Sequence, residues 1–213
     1  IDNVMGMLAS LRVDVVVLRS SEGDVVERAA AADMLPVISG GSLNDHPTQA
    51  LSDLLTISRE LGKVDGIHVG IMGRMEHRNV TALLTALALF KDVKVTLVPF
   101  SGDVDPAVLA YCEAKGMKFS RSDTNESMKD VDVIYLNSPR TLAHVQLLRS
   151  RNAFNLKIDD TFMSRLQSHC LVMDPMQRSG DFMVETSDNR LAFYRQAENA
   201  LVVRMAVLKQ MLS

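Results

Sequence analysis

Asn44-Asp45-His46-Pro47-Thr48-Gln49 reads as a loop that runs into a helix. Pro47 suits the first helical position, where its missing N–H leaves nothing unsatisfied. His46 and Gln49 then project from the first turn, three residues apart and on one face. A helix N-terminus offers free backbone N–H groups and a partial positive charge. A neutral imidazole and a side-chain amide placed there could hold and polarise a small anionic carbonyl compound. The plainer reading is a His that caps the helix. Arg19 directly follows the apolar run VDVVVL, 13–18. An Arg at the carboxyl end of a strand points into the ligand crevice of an α/β sheet, and its planar fork suits phosphate or carboxylate. The alternative is a surface ion pair with Glu22 or Asp24, worth under about 1 kcal/mol.

Two further segments leave strand ends. Gly73-Arg74-Met75-Glu76-His77-Arg78 places Arg78 at a helix start, where it could grip a carboxylate or stand in solvent. Gly70 and Gly73 do not make a GxGxxG phosphate loop. Met173-Asp174-Pro175-Met176-Gln177-Arg178 is either site chemistry or an ordinary turn around Pro175. Arg195, Gln196, Glu198, Asn199 and Arg204 interrupt an otherwise apolar closing helix, as core packing or as an interdomain or intersubunit seam. The 13 methionines are pliable core filling.

The elements that carry these groups follow from periodicity. NVMGMLASL (3–11) has helical spacing, and VDVVVL predicts a buried strand. Asp24 is expected to cap a helix through about Asp33, followed by a short strand PVIS (36–39). A helix from Pro47 to about Leu61 ends at Gly62. Strands are expected at 67–72, 94–100, 131–137 and 169–175, with MKFS a shorter one and ESMKD a single helical turn. Helices are expected at 79–90, 105–116, over DDTFMSRL and at 191–212. TLAHVQLLRSR reads as an irregular or helical excursion. Alternating strands and helices with near-continuous apolar strands indicate α/β architecture, a parallel sheet covered on both faces.

Composition narrows the function. The 213 residues are 47% hydrophobic and 23% charged, values of an ordinary globular chain rather than a disordered one. Net charge is −3 with no basic block, so a nucleic-acid partner is not expected. No apolar run is long enough to span a bilayer, so no membrane partner is expected either. The five histidines are scattered, and no metal cluster is expected. Cys112 and Cys170 lie in separate apolar stretches and read as buried thiols of a reducing, cytoplasmic compartment. No signal peptide is visible. The chain begins at Ile1 inside an amphipathic segment, which reads as a fragment or a processed chain.

HPTQALSDLLTI (46–57) resembles the signature of the aspartate and ornithine carbamoyltransferase family, where a His-Pro-x-Gln step opens an interdomain helix. ELGKVDGIHVGIMG (60–73) resembles the family's run into its second domain. HRNVTALLTALALF (77–90) resembles the helix that starts with a substrate-binding Arg. AFYRQAENALVVRMAVLKQML (192–212) is similar to the closing helix of the aspartate-specific branch. The resemblance implies two Rossmann-like parallel-sheet domains joined by interdomain helices, the first domain incomplete in this chain. Residues 1–46 with 195–213 would be the remainder of the carbamoyl-phosphate-binding domain, and 47–194 the amino-acid-binding domain.

It also implies transfer of the carbamoyl group of carbamoyl phosphate to aspartate, on the route to pyrimidines, with no cofactor and no metal. Arg19 and His46 would be the catalytic pair. Arg19 matches the Arg at the carbamoyl oxygen and phosphate, and His46 the His at the carbamoyl carbonyl. Gln49 matches the Gln that receives the carbamoyl amide. Arg78 matches the Arg on the α-carboxylate, allowing one deletion before it. Asp174-Pro175-Met176-Gln177-Arg178 stands where the family has His-Pro-Leu-Pro-Arg or His-Pro-Met-Pro-Arg, so Met176 would present backbone to the amine. Ser138 falls at the Arg of the family's Thr-Arg-x-Gln segment, leaving Arg140 as its substitute. Arg19 is followed by Ser20-Ser21 where the family has His-Pro, and Gly73-Arg74 replaces Gly-Asp. A homotrimer is implied, with a regulatory chain or fused partner enzyme as a further implication. A catalytically silent relative with an assembly or ligand-sensing role, and a carbamoyltransferase for a different amine, stay open on the same residues.

Overall fold

The computed structural model describes residues 1–137, 158–175 and 186–213. α1 (Asp2–Ser10), β1 (Val16–Leu18), α2 (Val25–Ala31) and β2 (Val37–Ser39) come first. β1 and β2 pair as a two-stranded parallel sheet. α3 (Pro47–Leu61) starts on its proline and stops at Gly62, which takes a left-handed φ of 71° that a glycine adopts without strain. A five-stranded parallel sheet follows, built from β3 (His68–Arg74), β4 (Lys94–Ser101), β5 (Lys118–Arg121), β6 (Val133–Asn137) and β7 (Leu171–Met173). Its strand order is β5-β4-β3-β6-β7. The other helices are α4 (Arg78–Leu87), α5 (Pro106–Ala114), a 3-10 turn at Asn125–Met128, α6 (Asp160–Ser164) and α7 (Phe193–Met211).

The larger sheet is buried on both faces. Val69, Ile71, Val133 and Tyr135 face a core shared with Ile57 of α3, Leu83, Leu84 and Leu87 of α4 and Cys112 of α5. Met72, Ile134 and Leu136 face the opposite core with Met128, Phe162 and Met163. This alternation is the period-2 geometry of a strand. Cys112 and Cys170 are both buried free thiols. Among the described residues no helix is long and apolar enough to cross a membrane.

Chain order runs outward from β3 to β5, then returns to place β6 on the other side of β3. Such a reversal opens a crevice at the carboxyl ends of the two central strands. Here it is closed tightly. Gly73 pairs with Asn137. Gly73 has φ +125°, and a Cβ on it would lie 2.2 Å from the Asn137 carbonyl oxygen. Asn137 Nδ2 donates to the Arg74 carbonyl at 2.6 Å.

Two local expectations fail. VDVVVL is not a buried strand: only Val16–Leu18 is extended, and Val17 is 60% exposed. A two-stranded sheet gives each strand one neighbour, and among the described residues no core cluster includes Val17. Asp24 occupies the N-cap position of α2 without a side-chain cap hydrogen bond, its φ of −99° and ψ of 22° lying outside the extended conformation of a capping residue.

Gly73→Ala is expected to lower unfolding free energy by about 3 kcal/mol, because both its torsion and the Asn137 backbone reject a methyl group. Urea denaturation followed by circular dichroism measures it; a loss near zero would mean the β3–β6 junction is looser than described.

Candidate active site

The Gly40–Asp45 loop is built by local side chains. Asp45 N–H donates to Ser42 Oγ at 3.2 Å, Ser42 N–H to the Asp45 carbonyl at 2.8 Å, and His46 N–H to Asp45 Oδ1 at 2.8 Å. These bonds deliver His46 to the head of α3 in a non-helical conformation, φ −148° and ψ 70°, with no side-chain cap bond. His46 therefore occupies the N-cap position expected of a capping residue, but its imidazole does not cap the helix and is left for the site.

His46 is buried. Arg19, directly after β1, holds Nη1 at 3.4 Å from His46 Nε2 and donates to the Gly40 carbonyl at 3.3 Å. Thr48 Oγ1 lies 3.5 Å from His46 Nδ1. A guanidinium only donates, so Nε2 accepts and the proton sits on Nδ1. Burial lowers the His46 pKa to about 4, and the positive charges of Arg78, Arg19 and Arg204 push the same way. The imidazole is neutral at physiological pH. Among the described residues no ion pair joins Arg19 to Glu22 or Asp24.

Two cavities meet at Arg19. One, about 290 Å³, is lined by His46, Thr48, Ile38, Arg204 and Leu208 among others. The other, about 600 Å³, is lined by Arg19, Arg74, Arg78, Glu76, His77 and Asn44 among others. Arg78 opens α4 and donates Nη1 to the Ser42 carbonyl at 2.6 Å, tying the β3–α4 turn to the loop that presents His46. Arg74 pairs with Glu76 at 3.2 Å, and Ser101 Oγ also reaches Glu76, at 3.3 Å. Among the described residues no cluster of three or more His, Cys, Asp or Glu is placed to hold a metal ion.

Gln49 does not join His46. An N-cap residue lies outside the helical register, so spacing of three does not put the two side chains on one face. Gln49 is buried and donates Nε2 to Asp53 Oδ1 at 2.8 Å. Asp53 has no exposed surface. It also accepts from Gln196 Nε2 at 2.7 Å and from the Tyr135 hydroxyl at 2.8 Å. Gln196 Oε1 in turn accepts from Asp174 N–H at 3.1 Å, where the chain leaves β7. Asn199 donates to Thr56 Oγ1 at 3.0 Å and accepts from Arg59, while Arg195 pairs with Glu60 at 2.6 Å. The polar residues of the closing helix thus form a seam with α3, except Glu198, which is exposed, and Arg204, which lines the smaller cavity.

Sequence reading missed Asp53, Tyr135, Arg204 and the Arg74–Glu76 pair as neighbours of the site. Asp53 carried a signal: it lies four residues after Gln49, on the same helical face. Arg140 and Met176 lie outside the described residues, as do Ser138 and Gln177.

Comparison with known proteins gives two family matches. The carbamoyl-P binding domain of aspartate/ornithine carbamoyltransferase matches residues 1–59, and the Asp/Orn binding domain matches residues 65–211. Aspartate carbamoyltransferase 3, chloroplastic, of Pisum sativum is 35% identical over 208 residues, covering 93% of this chain and 53% of the relative. The multifunctional protein CAD of Squalus acanthias is 33% identical, covering 100% of this chain and 10% of the relative. Aspartate transcarbamoylase of Trypanosoma cruzi in complex with phosphate superposes with a TM-score of 0.88 at 30% identity, covering 100% of this chain and 71% of that one. The chain spans about half the length of the curated plant relatives it matches.

Burial pushes the Asp53 carboxyl up to about 7, against the lowering effect of its three donors. A folded-state pKa above the unfolded value of 3.8 means that the folded protein holds the proton more tightly. Stability from this group is full below pH 3.8 and is lost as pH rises toward 7. Asp53→Asn removes the titration and keeps the shape. Chemical denaturation at pH 5 and pH 8 is expected to show the natural protein losing on the order of 2 kcal/mol more than the variant across that interval. Parallel losses in the two proteins would refute the assignment.

Proposed function

The chain belongs to the aspartate/ornithine carbamoyltransferase family, and from that premise we propose that it transfers the carbamoyl group of carbamoyl phosphate to the amino group of aspartate. The observation that carries this reading is the neutral His46 imidazole of the smaller cavity, set beside the Arg19 guanidinium that lines both cavities. In this reading the amine nitrogen attacks the carbamoyl carbon, the C–O bond to phosphate breaks, and phosphate leaves with the electron pair and takes the amine proton. No covalent enzyme intermediate is required. The protein's task is to hold two anions in line and stabilise the oxygen on which charge develops.

Arg19 supplies fixed charge to the phosphate and the carbonyl oxygen. His46 changes tautomer when a carbonyl replaces the guanidinium as its partner, so that Nε2–H donates to the developing oxyanion. A neutral imidazole suits that role, since a stronger acid would hand over its proton. Arg78 takes the α-carboxylate of the amino acid. Gln49 accepts from the carbamoyl amide, Met176 presents backbone to the amine, and Arg140 takes the side-chain carboxylate. Residues 1–46 with 195–213 serve the carbamoyl phosphate side and 47–194 the amino acid side; the separate two-stranded and five-stranded sheets support that division.

The working assembly in this reading is a homotrimer in the cytoplasm, consistent with two buried thiols. A fused partner enzyme is a natural companion, given the similarity to a protein named as multifunctional.

Radiolabelled carbamoyl phosphate offered to the full-length gene product with a panel of amino acids tests the proposal. Label is expected in carbamoyl-aspartate; transfer to another amine would replace the acceptor, and no transfer by a folded protein would leave a silent relative. His46→Ala is expected to lower kcat at least about a hundredfold while costing less than about 1 kcal/mol of stability. Equal, large losses of both would make His46 structural.

A further inference from the structure

The buried seam between α3, β6 and α7 contains a carboxylate that touches neither cavity yet contacts the side chain assigned to the carbamoyl amide. Asp53 Oδ1 receives two amide N–H donors, Gln49 Nε2 at 2.8 Å and Gln196 Nε2 at 2.7 Å. Oδ2 receives the Tyr135 hydroxyl at 2.8 Å. Burial holds that phenol protonated, and therefore able to donate. A carboxylate has acceptors only, so each amide turned toward it must present nitrogen. The opposite end of each amide is then fixed as oxygen. For Gln196 that oxygen accepts from the Asp174 N–H. For Gln49, whose Nε2 is committed to Asp53, Oε1 is the acceptor end of the side chain, and no described residue donates to it.

We infer that Asp53 is a positioning residue that sets the polarity of two amides, committing Gln49 Oε1 to accept an N–H from the substrate's carbamoyl group and Gln196 Oε1 to anchor the backbone at the exit of β7. This inference rests on the reading of Gln49 given above. Without Asp53 a glutamine amide can rotate by half a turn and present nitrogen, a donor facing the donor of a carbamoyl group. Asp53 therefore works through Gln49 and through the segment at 174, not on the reacting atoms. A proton on Oδ2 can be donated to the Tyr135 oxygen, so Oδ1 keeps accepting in either protonation state. Among the described residues the further ionisable group that faces this cluster is Asp174, on the chain leaving β7.

The test compares two phosphonates that differ in one group. Phosphonoacetamide carries the carbonyl and the NH2 of a carbamoyl compound. 2-Oxopropylphosphonate keeps the carbonyl and replaces NH2 by methyl. Titration calorimetry on the full-length protein is expected to favour the amide about tenfold, the discrimination of one hydrogen bond. Asp53→Leu and Asp53→Ala remove the acceptor and are expected to abolish that preference while still binding the ketone. Asp53→Asn keeps an oxygen facing both glutamines and is expected to restore the preference. Tyr135→Phe is expected to lower stability without moving it. A preference unchanged in the folded Leu or Ala variant, or lost in the Asn variant, overturns the inference alone. Failure of the natural protein to bind either phosphonate overturns the functional reading as well.

Discussion

A carboxyl group with no solvent contact costs several kcal/mol unless donors surround it. Asp53 is such a group, and the middle of this molecule is arranged around supplying it. The donors come from three elements: Gln49 on its own helix, Tyr135 from β6 beside the central strand, Gln196 from the closing helix. Satisfying one side chain therefore fixes the register of α3 against the sheet and of α7 against α3. The hydrophobic contacts of Ile57 with the strands supply adhesion, which is non-directional. The hydrogen bonds around Asp53 supply the direction.

The head of the same helix follows the opposite rule. Around His46 burial, and after it the positive charge of its arginine neighbours, makes the imidazole give up its charge rather than pair it. Arg19, Arg78 and Arg204 raise the local potential, which draws small anions toward the cavity mouth. Arg78 spends one donor on the Ser42 carbonyl and so holds the far wall against the near one. The site is thus a rim of fixed positive charge around a neutral group able to change tautomer.

Much of this was legible in the sequence. Pro47 and Gly62 bound α3 to the residue, because each has a backbone requirement that few positions satisfy. The runs IHVGIM, KVTLVPF and VDVIYLN gave strands because β-branched residues continue without a polar partner face. Arg19 and Arg78 were found by their place at strand ends, and the family resemblance by blocks spread across the chain. What escaped was anything decided by a partner distant in sequence. Thr48, Gln49, Ser52, Asp53 and Thr56 form a polar stripe that reads as a solvent face, yet all five are buried. Leu51 of the same helix is 46% exposed. The stripe is buried because Gln196 and Asn199 offer a matching one, more than a hundred residues away in sequence. Val17 failed for the mirror reason, since alternation and branching predict extension but not how many strands will stand beside it.

The opposed environments of His46 and Asp53 have a joint effect that neither has alone. Folding strips the proton from an imidazole that would carry one in mildly acidic solution, and leaves one on a carboxyl that would have lost it. Between about pH 4 and pH 6.5 the two changes are equal and opposite, so collapse of the chain amounts to an internal relocation of one hydrogen ion. The surrounding buffer takes up and releases almost nothing on their account. The two perturbed groups thereby add almost nothing between them to the slope of stability against pH in that interval, and their presence becomes visible only when one of them is changed without the other.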